Sequence, residues 1–269
     1  MTAKKSDLLR VPGASLSYTI RGSGPLLLLI AGGGGVGESF EQVASHLAEW
    51  YTVVTYDRRG IAGSSLDDQH EEVYLEMQSN DAYRILMHLS SEPAYVFGSS
   101  AGALIGLDLV AHHSKQVHSL VAHEPPARYL LPAPDPEHGQ LLETYHSEGA
   151  ASALRQFAIQ IGVNYQNVEA RVNIPQWREV DAEAFFKYTF PAVQHYRLDI
   201  PALQAASSSI VIAGGSAGRA YLGYLCAVAV AKALGATVVE FPGHHAGFIS
   251  HPRAFAEKLH AVFGEAHLL

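Results

Sequence analysis

Short apolar runs alternate with longer amphipathic stretches along most of this chain, and that rhythm limits the fold more than any other feature. Runs of aliphatic, β-branched and aromatic residues predict strands over 7–11, 15–21, 25–31, 51–56, 94–98, 118–123, 209–213 and 237–241. Helical spacing of apolar residues predicts helices over 38–49, 70–89, 101–113, 219–233 and 251–263. The last of these opens at His251-Pro252, where proline's missing N–H is no loss. Strands that alternate with helices pair in parallel, because each helix serves as the crossover to the next strand. The fold class is therefore α/β: a mostly parallel eight-stranded sheet flanked by helices. The first two strands, joined through Pro12-Gly13-Ala14, read as an antiparallel hairpin.

The rhythm breaks between about 127 and 205. Strand-like runs vanish, and Gln140–Tyr145, Ala150–Ile161 and Ala182–Tyr188 carry helical spacing. Pro132, Pro134 and Pro136 lead into the region and Pro201 leads out. A helical cap over 127–205, inserted into a core made of 1–126 and 206–269, is the simplest organisation. Tyr145, Phe157, Phe185, Phe186, Tyr188, His195 and Tyr196 within it either line a pocket or form the insertion's own core.

Composition removes several function classes. The 269 residues are 48% hydrophobic and 16% charged, enough apolar content to build a core without staples. Eighteen basic against 26 acidic residues give a net charge of -8, which disfavours nucleic acid and anionic membranes as partners. The one cysteine, Cys226, excludes an internal disulfide and a thiolate metal cluster. Met1-Thr2-Ala3-Lys4-Lys5 has no apolar stretch behind it, unlike a signal peptide, and Leu26–Ala31 is too short to span a bilayer. A soluble, cytoplasmic protein acting on a small molecule is expected, with no metal or organic cofactor.

Chemistry concentrates at Gly98-Ser99-Ser100-Ala101-Gly102. The run Ala94-Tyr95-Val96-Phe97 precedes it and an apolar helical stretch follows, so this G-x-S-x-G sits at a strand–turn–helix junction. Such a turn pushes the serine out of the sheet edge, and the glycines let neighbouring backbone pass. Gly214-Gly215-Ser216-Ala217-Gly218 matches the same pattern. Four or five strands precede Ser100 and more follow to supply a base and an acid, whereas one strand follows Ser216. Ser100 is the candidate nucleophile and Ser216 a loop residue. Pro242-Gly243-His244-His245-Ala246-Gly247-Phe248 follows the last strand, on a loop from which a histidine reaches over the strand ends to take a serine proton.

Gly32-Gly33-Gly34-Gly35-Val36-Gly37 admits two readings. With Asp57 ending the next strand, it has the ingredients of a dinucleotide site, G-x-G-x-x-G and a distal acid. It serves a serine hydrolase equally well, by aiming a backbone N–H at an oxyanion. The preceding hairpin favours the second reading, because a nicotinamide-binding chain usually opens with the strand itself.

Four motifs together resemble the α/β-hydrolase family. Leu27-Leu28-Leu29-Ile30-Ala31-Gly32-Gly33 is similar to its strand and oxyanion loop, and Tyr56-Asp57-Arg58-Arg59-Gly60 with Gly63-Ser64 to its D-x-R-G-x-G-x-S turn. Gly98–Gly102 is similar to the nucleophile elbow and Pro242–Phe248 to the terminal histidine loop. They run in the family's order across residues 15–263, with the helical insertion where the family carries its cap. The resemblance implies Ser100 as nucleophile, His245 as the catalytic histidine, and the backbone N–H groups of Gly33 and Ala101 as oxyanion donors. It implies cleavage of an ester, thioester or lactone. A non-hydrolytic relative (acyltransferase, lyase or cyclase) and a ligand-binding protein with little turnover are the alternatives. Dehalogenases and epoxide hydrolases of this fold use an aspartate nucleophile, which Ser100 argues against.

Two departures stand out. The oxyanion loop starts Ala31-Gly32 where the family commonly has His-Gly. The turn Ala213–Arg219 lacks the carboxylate that the family usually places there. Of the twelve acidic residues between Ser100 and His245, Glu124 is the one expected at the carboxyl edge of the sheet. It ends the strand Val117–His123, and Pro125-Pro126 stop that strand. Some haloalkane dehalogenases of this fold look similar, taking their acid from this strand.

Overall fold

All eight predicted strands form, and a two-residue strand joins them. The structure, a computed structural model, describes residues 4–132, 137–163, 168–169, 172 and 179–265; Pro134, Asp135 and Pro136 lie outside the described residues. The elements in chain order are β1 (Lys5–Val11), β2 (Ala14–Arg21), β3 (Leu26–Ile30), α1 (Glu41–Leu47), β4 (Thr52–Tyr56), β5 (Ser65–Leu66) and α2 (Leu75–Leu89). Then come β6 (Ala94–Ser99), α3 (Ala101–His113), β7 (Val117–His123), α4 (Glu137–Glu148), α5 (Ala150–Gln160), α6 (Glu179–Ala184) and α7 (Phe190–His195). The chain continues through α8 (Ile200–Ala205), β8 (Ile210–Gly215), α9 (Leu222–Leu234), β9 (Val239–Phe241), α10 (Gly247–Ser250) and α11 (Pro252–Glu265).

The sheet runs β1-β2-β4-β3-β6-β7-β8-β9, with the small β5 on β2. The β1–β2 hairpin and its junction with β4 are antiparallel; every pairing from β4 to β9 is parallel. Strand order reverses at β3, which lies between β4 and β6. The loops leaving β3 and β6 therefore diverge at the carboxyl edge, where open α/β sheets hold their ligands.

Period-two alternation divides the central strands between two cores. Leu28, Ile30, Val54, Val96, Leu120 and Ala122 pack with α2, α3, α8 and α9 on one face. Leu27, Leu29, Val53, Phe97 and Val121 pack with α1, α10 and α11 on the other. Leu27 to Ile30 are wholly buried, so each contributes about 1.5–3 kcal/mol of apolar burial. No helix among the described residues is long and apolar enough to cross a membrane.

Several helices differ from expectation at their starts or ends, α9 among them, which begins at Leu222 rather than at the expected 219. The predicted 38–49 helix divides into a 3₁₀ turn at Gly37–Phe40 and α1. The predicted 70–89 helix begins only at Leu75, because the Asp68 side chain turns the chain by accepting from the His70 N–H (2.8 Å). Helix α6 passes into a π-helical turn at Phe185–Thr189, where the Phe190 N–H reaches back to the Phe185 carbonyl. Pro191 explains the widening: it has no N–H for the next helical bond, and its ring needs room beside the carbonyl four residues back.

Between β7 and β8, Leu141, Ala150, Ala153, Ala182, Phe185, Phe186 and Phe190 form a third apolar cluster. Tyr145 stacks on Phe186, and Phe157 packs on Phe185. Most of the aromatics that could have lined a pocket are thus this cluster's own core, and His195 is exposed. The return to the sheet is pinned: Tyr196 Oη donates to Asp108 Oδ1 (2.8 Å), and the Leu198 N–H donates to Tyr129 Oη (2.8 Å).

Candidate active site

Ser100 stands at the β6–α3 junction with φ 55° and ψ -120°. Few side chains tolerate that conformation, and holding it costs about 1–3 kcal/mol. The flanking glycines are required by backbone crowding. A Cβ on Gly98 would lie 2.3 Å from the Gly102 carbonyl oxygen, and one on Gly102 would lie 2.1 Å from that of Ile30. Ser216, by contrast, is exposed on a 3₁₀ turn after β8 without such a backbone.

The neighbouring strand ends converge on the same edge. The Ser100 N–H donates to the His123 carbonyl (2.8 Å), and the Glu124 N–H to the Ala213 carbonyl (2.9 Å). Glu124 is also held at positive φ, 50°; Ala62 is the third non-glycine residue of that kind among the described residues. This conformation turns the Glu124 side chain away from the strand direction. Its Oε1 accepts from the Gly215 N–H (2.9 Å), and its Oε2 lies 2.5 Å from His245 Nδ1. Glu124 is 1% exposed, while Ser100 and His245 are each 8% exposed. His244 turns elsewhere, its Nδ1 accepting from the Ala246 N–H (3.2 Å).

Burial pushes the Glu124 carboxyl up, but opposing contributions, the His245 hydrogen bond first and the Gly215 N–H among the rest, outweigh it and hold the carboxyl below its ordinary value. An ionised carboxylate only accepts, so Nδ1 of His245 carries the shared hydrogen, and in the neutral imidazole Nε2 keeps the lone pair. That tautomer can take a proton from a hydroxyl. The space around the pair is tight: a Cβ on Gly223 would lie 2.3 Å from Glu124 Oε2 and 2.7 Å from His245 Nδ1.

Beneath the pair lies His123, wholly buried among Phe97, Phe241 and Phe255, with neither ring nitrogen hydrogen-bonded. Burial pulls its pKa down to about 4, so it is neutral at physiological pH.

The glycine loop after β3 meets Ser100 from the other side. A Cβ on Gly32 would lie 3.0 Å from the Ser99 carbonyl oxygen and 3.2 Å from Ser100 Cβ. Arg58, 1% exposed, grips the loop from behind. Its Nη2 donates to Gly32 O (2.5 Å), Gly33 O (3.2 Å) and Thr189 Oγ1 (2.9 Å), and its Nη1 to Gln78 Oε1 (2.5 Å). Asp57 accepts from the N–H groups of Gly37 (2.8 Å) and Gly63 (3.0 Å). Both its oxygens thus brace loops, unlike an acid kept free for a ribose. Among the described residues no three His, Cys, Asp or Glu side chains converge as metal ligands.

Four residues of this region escaped sequence reasoning. Arg58 and His123 lay inside recognised segments without an assigned role, and their buried positions next to Gly32 and Glu124 were the missed signal. Thr189 and Gly223 left no signal in the sequence.

Of the other acids, Glu240 pairs with Arg219 (2.5 Å) and Tyr224, and Asp108 receives Tyr196. Glu169 accepts from the N–H groups of Arg253 and Ala254 that open α11.

Comparison with known proteins agrees with this architecture. The family model described as alpha/beta hydrolase fold matches residues 25–152. The uncharacterized hydrolase YraK of Bacillus subtilis (strain 168) is 42% identical over 259 residues, covering 94% of this chain and 93% of that one. The zearalenone hydrolase of Cladophialophora bantiana is 25% identical, covering 94% of each. An alpha/beta hydrolase structure from Sphaerobacter thermophilus superposes with a TM-score of 0.72 at 24% identity, over 96% of this chain and all of the other. The chain belongs to the α/β-hydrolase family and is a hydrolase.

Proposed function

We propose that the chain is a serine hydrolase cleaving a small ester, thioester or lactone through a seryl intermediate. The observation that carries this reading is the Glu124–His245 hydrogen bond beside a serine in a strained elbow. Ser100 Oγ attacks the substrate carbonyl while His245 Nε2 takes its proton, and Glu124 stabilises the imidazolium that forms. The oxyanion accepts from the N–H groups of Gly33 and Ala101. His245 then protonates the leaving oxygen or sulfur, and the C–O or C–S bond breaks. In the second half a water loses its proton to His245 and attacks the acyl carbon, and the proton returns to Ser100 Oγ as the acid departs.

Residues 127–205 act as a cap over a core of 1–126 and 206–269. The separate apolar cluster running from Leu141 to Phe190 supports that division, and the end of the insertion, Tyr196 to α8, packs on the sheet core. The substrate is a small molecule, and zearalenone, which the name of one relative gives as its substrate, joins the compounds worth trying. The single, buried Cys226 suits a reducing compartment such as the cytoplasm.

The test is intact-mass analysis and peptide mapping after exposure to a fluorophosphonate, beside turnover of short p-nitrophenyl esters, a thioester and a lactone. One adduct, on Ser100, is expected, and Ser100→Ala should lose several orders of magnitude in turnover while staying folded. An adduct on Ser216, or none, overturns the mechanism.

A further inference from the structure

Arg58 is a buried cation faced by no carboxylate among the described residues. Four oxygens hold it, and three of them belong to Gly32, Gly33 and Thr189. Burial lowers its pKa to about 10, so it keeps its charge at neutral pH. Its target matters. The Gly32 carbonyl and the Gly33 N–H are the two ends of one peptide unit, and no peptide bond among the described residues is cis. In a trans peptide the N–H points opposite the C=O. The Gly32 carbonyl, held by this guanidinium and by the Gly35 N–H (2.9 Å), therefore sets the direction of the Gly33 N–H. The guanidinium's charge also polarises that peptide, which strengthens the N–H as a donor. Thr189 closes the arrangement from the insertion: its Oγ1 accepts from Arg58 and donates to the Gly33 carbonyl (3.0 Å). Thr189 reaches the loop from the π-helical turn beside Pro191.

We propose that Arg58 and Thr189 are positioning residues for the oxyanion donor at Gly33, and that the donor is fully set only while Thr189 of the 127–205 insertion is seated on the loop. The inference rests on the serine-hydrolase reading above. Neither side chain touches the reacting atoms; both act through the Gly32–Gly33 backbone. Oxyanion stabilisation thereby becomes linked to the seating of Thr189, and a site in which that contact is lost is a poor catalyst even with Ser100, His245 and Glu124 in place.

The experiment compares wild type, Thr189→Val, Thr189→Ser and Arg58→Lys by three readouts: kcat and KM for a short p-nitrophenyl ester, the rate of Ser100 labelling by a fluorophosphonate, and melting temperature. Deleting an oxyanion donor outright costs about a hundredfold to a thousandfold in kcat, so loosening one should cost roughly tenfold. Thr189→Val should lower kcat and the labelling rate by about that factor with KM within about twofold, and Thr189→Ser should restore both. Arg58→Lys, which keeps charge but cannot span the same acceptors, should fall at least as far. If wild type is neither labelled nor active, the serine-hydrolase reading falls and this inference with it. If wild type is active and Thr189→Val matches it, or Thr189→Ser is as impaired as Thr189→Val, the inference alone is overturned. Should Thr189→Val fail to fold, the kcat-against-KM split in Arg58→Lys decides: a rise in KM at unchanged kcat overturns the proposal.

Discussion

His123 should make this protein acid-labile, by an amount that its environment sets. Burial among three phenylalanines holds its imidazole at about 4, against 6.5 for an exposed histidine. The folded value lies below the unfolded one, so as pH falls the unfolded chain takes up the proton first. The loss of stability is near zero above about pH 7, grows between about 6.5 and 4, and is constant below that. Each pH unit inside that window removes about 1.4 kcal/mol, so moving from pH 7 to pH 5 removes about 2 kcal/mol through this one side chain. His123→Phe deletes the titration and leaves no unpaired ring nitrogen. Urea midpoints for both proteins at pH 7 and pH 5 give the test. With a slope of about 3 kcal/mol per molar, wild type should lose about 0.7 M more of midpoint than the variant across that interval. A fixed packing gain or loss from the larger ring cancels in this double difference, as do titrations common to both proteins. Equal drops in the two proteins would refute the reasoning, showing that His123 is hydrated or protonates in place.

Two further outcomes are expected at the Glu124–His245 pair. Glu124→Gln keeps shape but removes the charge that stabilises the imidazolium, so ester turnover should fall about a hundredfold or more with little change in melting temperature; near-full turnover would mean that Ser100 and His245 work as a dyad or with another acid. Gly223→Ala drives a methyl group into the space between Glu124 Oε2 and His245 Nδ1, so kcat should drop at least about tenfold, and a variant with wild-type kcat would show that α9 shifts to make room.

The fold was legible because its signals are local and redundant. Leu26–Ile30 and Ala94–Ser99 read as buried strands from their runs alone, and parallel pairing followed from the helices between them. Ser100 was legible because its backbone conformation leaves a trace in sequence: glycines two residues before and after, where neighbouring carbonyls leave no room for a Cβ. Signals that depend on tertiary contact were not legible. Nothing near Arg58 in sequence marks Thr189 as its partner, 131 residues away. The insertion's aromatics were ambiguous for the same reason, since Tyr145 finds Phe186 only across two helices. The π-helical turn was hidden inside a pattern that reads as continuous helix, although Pro191 was present to disturb it.

The turn after β8 looked in sequence like two separate oddities, a second G-x-S-x-G and a missing carboxylate. The geometry makes them one feature. Strands β7 and β8 are neighbours, and the Glu124 backbone is already tied to Ala213. A carboxylate leaving the end of β7 at positive φ is carried across the end of β8, where the Gly215 N–H binds one oxygen and His245 meets the other. The volume that a side chain from that turn would fill is occupied instead by the acid of the neighbouring strand and the loop it supports. A Cβ on Gly215 would lie 2.6 Å from the His244 backbone, and one on Gly218 would lie 3.5 Å from Glu124 Oε1. Glycine at 215 is therefore what the histidine loop requires of the end of β8, and Gly218 leaves Glu124 in ordinary contact with that turn. On the proposed mechanism, the rival elbow is the seat of the catalytic carboxylate, and restoring an acid to that turn without removing Glu124 would bring two carboxylates to one imidazole. Like charges so placed raise each other's pKa, which leaves one of them protonated and His245 no better oriented than before.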